Sequence, residues 1–118
     1  MLRGVRGAIT VEKDERELIL LATKELLAKM IEENSIEVDD VASAFFSLTP
    51  DLRTEFPAVA AREMGWSDVP LFCVKELDIE GSLPKCVRIL LHWNTDKKPS
   101  EISHAYMRDA IKLRPDIN

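Results

Sequence analysis

The sequence predicts an α+β fold, and three observations carry that reading. One long stretch, from about Lys13 to Asn34, has the apolar spacing of an amphipathic helix; four other runs are rich in β-branched and aromatic residues; and their order is strand, helix, strand, short helix, strand, strand, followed by a mixed tail rather than regular βαβ units. At 118 residues the chain has the length of one domain and can bury a core without disulfides or metals. One domain over 1–118 is therefore expected.

The first element, "LRGVRGAITV" from Leu2, pairs strand-forming residues with two arginines and two glycines. Glycine weakens a strand interior and often marks a close approach by a ligand or another backbone, so the segment raises the question of what approaches. In the helix that follows, Ile19, Ala22, Leu26 and Met30 form the stripe, and Leu27 and Ile31 widen it. Asp14 and Glu17 resemble a capping pair at its start, and Asn34 suits the left-handed stop position at its end. "VASAFFSLT", Val41 to Thr49, reads as a buried strand, and "PDL" turns the chain. From Phe56 to Gly65, proline just inside the start and glycine just past the end frame a short helix with Arg62 on its last turn. "VPLFCVKELDI" and "CVRILLHWNT" are strands separated by the loop "EGSLPK", an arrangement that sets the two strands facing each other. Ser100 caps a short helical turn through about Tyr106, and "AIKLRPD" fits either an extended or a helical tail.

Composition removes several classes of function. The net charge is −5 with the signs scattered, so no basic face for nucleic acid is expected. No apolar run approaches a membrane span and no signal-peptide pattern opens the chain, which predicts a cytoplasmic protein with no membrane partner. Cys73 and Cys86 lack C-x-x-C spacing and read as two buried thiols in a reducing compartment. His92 and His104 form no paired-ligand motif, and G-x-S-x-G, P-loop and G-x-G-x-x-G patterns are absent. The expected site is rich in arginine and free of metal and cofactor.

Its candidates are charges on strands. Alternation along the last long strand puts Val87, Ile89, Leu91 and Trp93 on one side and Arg88, Leu90, His92 and Asn94 on the other. Arg88 is then either solvated on an exposed sheet face or a planar donor aimed at a carboxylate or ether oxygen. Glu76, at alternate spacing from Phe72 and Val74, is either half of a structural ion pair or a functional acceptor. Arg6, between Gly4 and Gly7, is a third strand charge; Arg62, Arg114 and Tyr106 are each open to a solvated or a functional role.

Seven motifs then fall in register: "RGVRGAITVEKD", "TPDL", "FPAVAARE", "CVKELD", "GSLPKCVRIL", "HAYMRDA" and "LRPD". In their order and spacing the chain resembles the small monofunctional chorismate mutases of the trimeric pseudo-α/β-barrel class. The resemblance implies a mixed five-stranded sheet packed by one long helix and short helices, and a homotrimer with active sites at subunit interfaces. It implies a Claisen rearrangement of chorismate to prephenate in the phenylalanine/tyrosine branch of aromatic amino-acid biosynthesis, with no metal, cofactor or covalent intermediate.

Carried over by motif, Arg88 donates to the breaking ether oxygen and to a carboxylate, and Glu76 accepts from the ring hydroxyl. Arg6 and Tyr106 hold carboxylates, Phe56 forms an aromatic wall, Arg62 lies near the pocket mouth, and Leu113 with Arg114 forms the C-terminal part of the pocket. The family also uses the position of Cys73 beside the ring hydroxyl; strict alternation puts Cys73 opposite Glu76, so a backbone contact or a bulge is expected there. Val59 stands where some relatives have lysine, and Phe72 where some have a smaller polar residue. On this reading the glycines beside Arg6 let the strand lie close to substrate or to a neighbouring subunit, and no long C-terminal tail is expected to cover the substrate. Two other readings use the same arginines: a non-catalytic trimeric module that clamps small carboxylates, and an imine-deaminase-like trimer. Glu76 opposite Arg88 favours the mutase, because a hydroxyl-bearing ring accounts for both residues.

Overall fold

In a computed structural model, residues 1–113 are described. The centre of the molecule is the antiparallel pair β1 (Leu2–Thr10) and β4 (Cys86–Asn94), in register from Leu2 opposite Asn94 to Thr10 opposite Cys86. β2 (Val41–Leu48) adds to the other side of β4, antiparallel, with an irregularity between Val41 and Ser43. β3 (Leu71–Lys75) pairs parallel with β2, and β5 (Ala105–Met107) pairs parallel with β1. The result is a mixed five-stranded sheet of order β3-β2-β4-β1-β5.

The two strands read as facing each other, β3 and β4, are thus not neighbours. β2 lies between them because Ala44 and Phe46 are fully buried and its backbone bonds on both edges, and a parallel β2–β3 pair needs the crossover that α2 (Ala58–Glu63) supplies. β3 is also shorter than the 69–79 run that reads as strand.

α1 (Arg16–Asn34) covers one face of the sheet, and its Ile19, Ala22, Leu26, Leu27 and Met30 are buried against Val5, Ile9, Phe46, Val87, Ile89 and Leu91. At this contact the structure answers the question raised by the glycines. A Cβ on Gly7 would stand 2.5 Å from Met30 Sδ and 3.0 Å from Leu26 Cδ1, so what approaches Gly7 is the chain's own helix. At Gly4 a Cβ would meet only Leu90 Cδ1, at an ordinary 3.5 Å.

Several expected caps do other work. α1 begins after Glu15 without a side-chain cap; the Asp14 carboxylate instead accepts hydrogen bonds from the Arg53 and Thr54 N–H groups and the Thr54 hydroxyl. Asn34 stays inside the helix, buried, donating to the Met30 and Ser103 carbonyls and accepting from the Ser103 N–H, while Ser35 takes the left-handed position with φ 54°. A buried amide needs these partners, and a distant loop supplies them.

The short 3-10 turn Pro99–Glu101 follows Lys98, not Ser100, and Tyr106 lies in β5, because pairing of Ala105, Tyr106 and Met107 with Gly7, Ala8 and Ile9 holds that segment extended. Arg108–Leu113 then forms a 3-10 helix that buries Ala110, settling the open tail as helical as far as Leu113. Pro57 and Gly65, φ 91°, frame α2 as expected. Among the described residues no helix is long and apolar enough to cross a membrane.

The "TPDL" turn sets where β4 starts. The Thr49 hydroxyl accepts from the Cys86 N–H and donates to Asp51, whose carboxylate also accepts from the Lys85 N–H. This tie holds the first residue of β4 from outside the sheet.

Gly7→Val is expected to destabilise the fold by about 1–3 kcal/mol through overpacking, and by less in a Met30→Ala background; denaturant melts of the four chains of that cycle measure both. Equal costs in the two backgrounds would place the clash elsewhere. Hydrogen bonding, chiefly from the Arg53 N–H, lowers the Asp14 pKa below its ordinary value. Its stabilising tie is therefore complete above the ordinary carboxylate range and is lost as pH falls through the lowered value. Asp14→Ala should remove that part of the acid limb in a pH series of melting temperatures; an unchanged limb would show that the tie carries no stability.

Candidate active site

On the sheet face away from α1, the register aligns one row across all the strands: Val74 opposite Ser47, Ser47 opposite Arg88, Arg88 opposite Ala8, and Ala8 opposite Tyr106. The next row carries Phe72, Phe45, Leu90 and Arg6. The alternation expected for β4 holds: Val87, Ile89, Leu91 and Trp93 are buried toward the helix, and Arg88, Leu90 and His92 stand half-buried on the other face.

A cavity of about 410 Å³ opens over these rows, lined by Arg6, Glu76, Arg88 and Tyr106 together with Ser47, Phe45 and Leu90 among others. Glu76 lies just past the end of β3, tethered by its N–H to the Leu48 carbonyl at 3.2 Å. Its Oε2 accepts a 2.7 Å hydrogen bond from the Ser47 hydroxyl and stands 3.7 Å from Arg88 Nε. That Nε is buried and has no hydrogen-bond partner among the described residues. Arg88 therefore brings a fixed charge on a partly exposed guanidinium into the cavity beside a carboxylate, an arrangement suited to a ligand with an anionic or ether oxygen. The Arg6 N–H donates to His104 Nδ1 at 3.0 Å, which ties the arginine's backbone to the segment leading into β5.

Cys86 lies two residues before Arg88 and packs with Ala8 and Ala110, bordered by Tyr106, Leu83 and Leu113. Burial raises its thiol pKa above the ordinary value, and the Arg88 guanidinium offsets this only in part. Cys86 is a buried thiol as expected. Cys73 is half-buried, faces the core side of the sheet, and pairs with Phe46 with no break in the β2–β3 register, so the expected bulge is not there.

The predicted residues thus divide. Arg6, Glu76, Arg88 and Tyr106 converge on one cavity. Cys73 and the exposed Phe56 line a second one, of about 310 Å³, which shares Val74 and Lys75 with the first. Arg62 lies exposed on the last turn of α2 and borders neither cavity, and Leu113 packs against the cluster of Ala8, Cys86 and Ala110. Arg114 lies outside the described residues. Ser47 was not singled out in the sequence; its signal was the period-two spacing Ser43, Phe45, Ser47, the same rule that exposed Arg88. Among the described residues no group of His, Cys, Asp and Glu is placed to hold a metal ion.

The description of the chorismate mutase type I family matches residues 2–117. The chain is 48% identical over 118 residues to chorismate mutase AroH of Thermus thermophilus, covering 99% of this chain and 97% of that protein. It is 47% identical over 119 residues to chorismate mutase AroH of Bacillus subtilis, covering 100% of this chain and 94% of that one. The structure of a chorismate mutase from Clostridium thermocellum aligns with a TM-score of 0.91 at 44% identity, over 94% of this chain and 98% of the other.

Because Cys86 is both buried and raised in pKa, a thiol reagent near neutral pH should leave it unmodified in the folded protein and reach it only on unfolding. Peptide mapping after timed labelling checks this; rapid native labelling at Cys86 would contradict the packing described for the site floor.

Proposed function

The chain belongs to the chorismate mutase type I family, and from that premise we propose that it is an isomerase converting chorismate to prephenate in the cavity lined by Arg6, Glu76, Arg88 and Tyr106. The observation that carries this reading is the partly exposed Arg88 guanidinium in that cavity, 3.7 Å from the Glu76 carboxylate. In a Claisen rearrangement the ether carbon–oxygen bond breaks as a carbon–carbon bond forms within one molecule. Catalysis is then a matter of holding the chair-like conformer and favouring charge separation. Negative charge grows on the ether oxygen as its bond lengthens, and a fixed guanidinium gains more there in the transition state than in the ground state. Arg88 takes that role. Glu76 accepts from the ring hydroxyl, and Arg6 and Tyr106 hold the carboxylates of the dianion.

The same reading makes the protein one cytoplasmic domain of aromatic amino-acid biosynthesis and a homotrimer with sites between subunits. Its support is twofold. Phe72, Val74 and Leu77 expose apolar surface at or beside the cavity, more than a lone chain gains from. Phe56, Arg62 and Cys73 also lie apart from the Arg88 cavity within one chain, so a neighbour's copies would complete the wall. Leu113 and Arg114 are proposed for the C-terminal border of that site. An arginine clamp alone would serve a non-catalytic carboxylate binder equally well, and turnover separates the two.

Purified protein should consume chorismate, read as loss of its ultraviolet absorbance, and yield prephenate; binding without conversion would favour the carboxylate clamp. Arg88→Ala should lower kcat by about 100- to 1000-fold with the fold intact, and Arg88→Lys should stay poor because a point charge does not reproduce the planar fork. A fully active lysine variant would show that charge alone suffices. Inactive Arg88→Ala chains refolded together with inactive Arg62→Ala chains should regain part of the activity, since some interfaces then carry both arginines. An active monomer in sedimentation would sink the shared-site reading. A pericyclic step moves no proton, so kcat should be flat across neutral pH and remain flat in His92→Gln. A limb near pH 6–7 that vanishes in that variant would point to proton transfer, as in imine deamination.

A further inference from the structure

We propose that Ser47 is a positioning residue that holds the Glu76 carboxylate off Arg88 and so keeps the arginine's charge directed into the cavity. The inference rests on the function proposed above and adds a residue to it.

Ser47 lies in β2 directly opposite Arg88 in β4, on the same sheet face, and is only 7% exposed. Its position is set by ladder hydrogen bonds rather than by a flexible loop. Glu76 is the reverse case: it lies past the end of β3, followed by the exposed Leu77–Gly81 stretch, and its backbone is tied to the sheet by the bond to the Leu48 carbonyl. A carboxylate on such a mount, facing a desolvated guanidinium N–H, would ordinarily close to a charge-assisted hydrogen bond of about 2.7–2.9 Å. Here the Arg88 Nε–Glu76 Oε2 distance is 3.7 Å, too long for one, and the same Oε2 accepts from the Ser47 hydroxyl at 2.7 Å. Ser47 supplies the donor that the carboxylate would otherwise take from Arg88.

The consequence falls on Arg88. A closed pair would direct the local positive charge onto Glu76 and so weaken what the guanidinium offers an ether oxygen in the cavity. With Ser47 in place the pair stays open. Glu76 remains ready for a hydroxyl on its free oxygen, and the guanidinium faces the cavity. One neutral hydroxyl thus keeps two opposite charges close without letting them satisfy each other.

The test is a kinetic cycle of unsubstituted protein, Ser47→Ala, Glu76→Gln and the double variant, with chorismate as substrate and melting temperatures alongside. Ser47→Ala should lower kcat/KM by about tenfold, the scale of one hydrogen bond to a charged group, and Ser47→Thr, which retains the hydroxyl, should recover most of it. In the Glu76→Gln background there is no anion to close onto Arg88, so Ser47→Ala should then change kcat/KM little. That non-additivity distinguishes positioning from a general loss of packing, which would lower activity equally in both backgrounds. Equal losses, or a Ser47→Ala enzyme as active as the unsubstituted one, would overturn the role of Ser47 alone. If the unsubstituted protein leaves chorismate untouched, the functional reading falls, and this inference with it.

Discussion

Everything at the proposed site depends on the strict alternation of β4 in the middle of the sheet. β4 is bonded by β1 on one edge and β2 on the other, so it cannot rotate or slip without breaking two ladders at once. One of its faces supplies Val87, Ile89, Leu91 and Trp93 to the core, and a one-residue slip would bury Arg88 and expose all four. The free energy of burying the core thereby fixes the direction of the arginine. The Thr49–Asp51 ties to the backbone at Lys85 and Cys86 hold the start of that register from outside the sheet.

The core contributes to the site in a second way. Close approach of Met30 and Leu26 to Gly7 seats α1 tightly on β1, which carries Arg6 and Ala8 on its opposite side. The glycine beside Arg6 therefore serves the helix behind it. The small side chain of Ala8 then leaves room between Arg88 and Tyr106 in the row across the sheet. Small residues on β1 permit packing on one face and a cavity on the other.

The electrostatics of the cavity are held short of closure. Folded chains usually pair buried donors, yet among the described residues Arg88 Nε has no hydrogen-bond partner beside a carboxylate 3.7 Å away. Such an arrangement costs stability. For a reaction that moves no proton, charges fixed in advance are the main device a protein can offer, because they need no reorganisation as the ether bond lengthens.

Much of this was legible in the chain alone where the signal is local. The α1 stripe, the Pro57–Gly65 frame of α2 and the alternation around Arg88 each follow from a periodicity or a backbone preference that neighbouring residues determine among themselves. The motif resemblance alone groups Arg6, Glu76, Arg88 and Tyr106. The tertiary structure decided what depends on distant partners. It placed β2 between β3 and β4, turned Asp14 and Asn34 from expected caps into ties to residues 53–54 and 103, drew Tyr106 into a strand against β1, and set Ser47 between Glu76 and Arg88. The physical reason is the same throughout. A chain segment encodes its own period, but which backbone it pairs with and which buried polar group it satisfies are settled only when the whole sheet and its helix compete for the same hydrogen bonds and the same apolar surface.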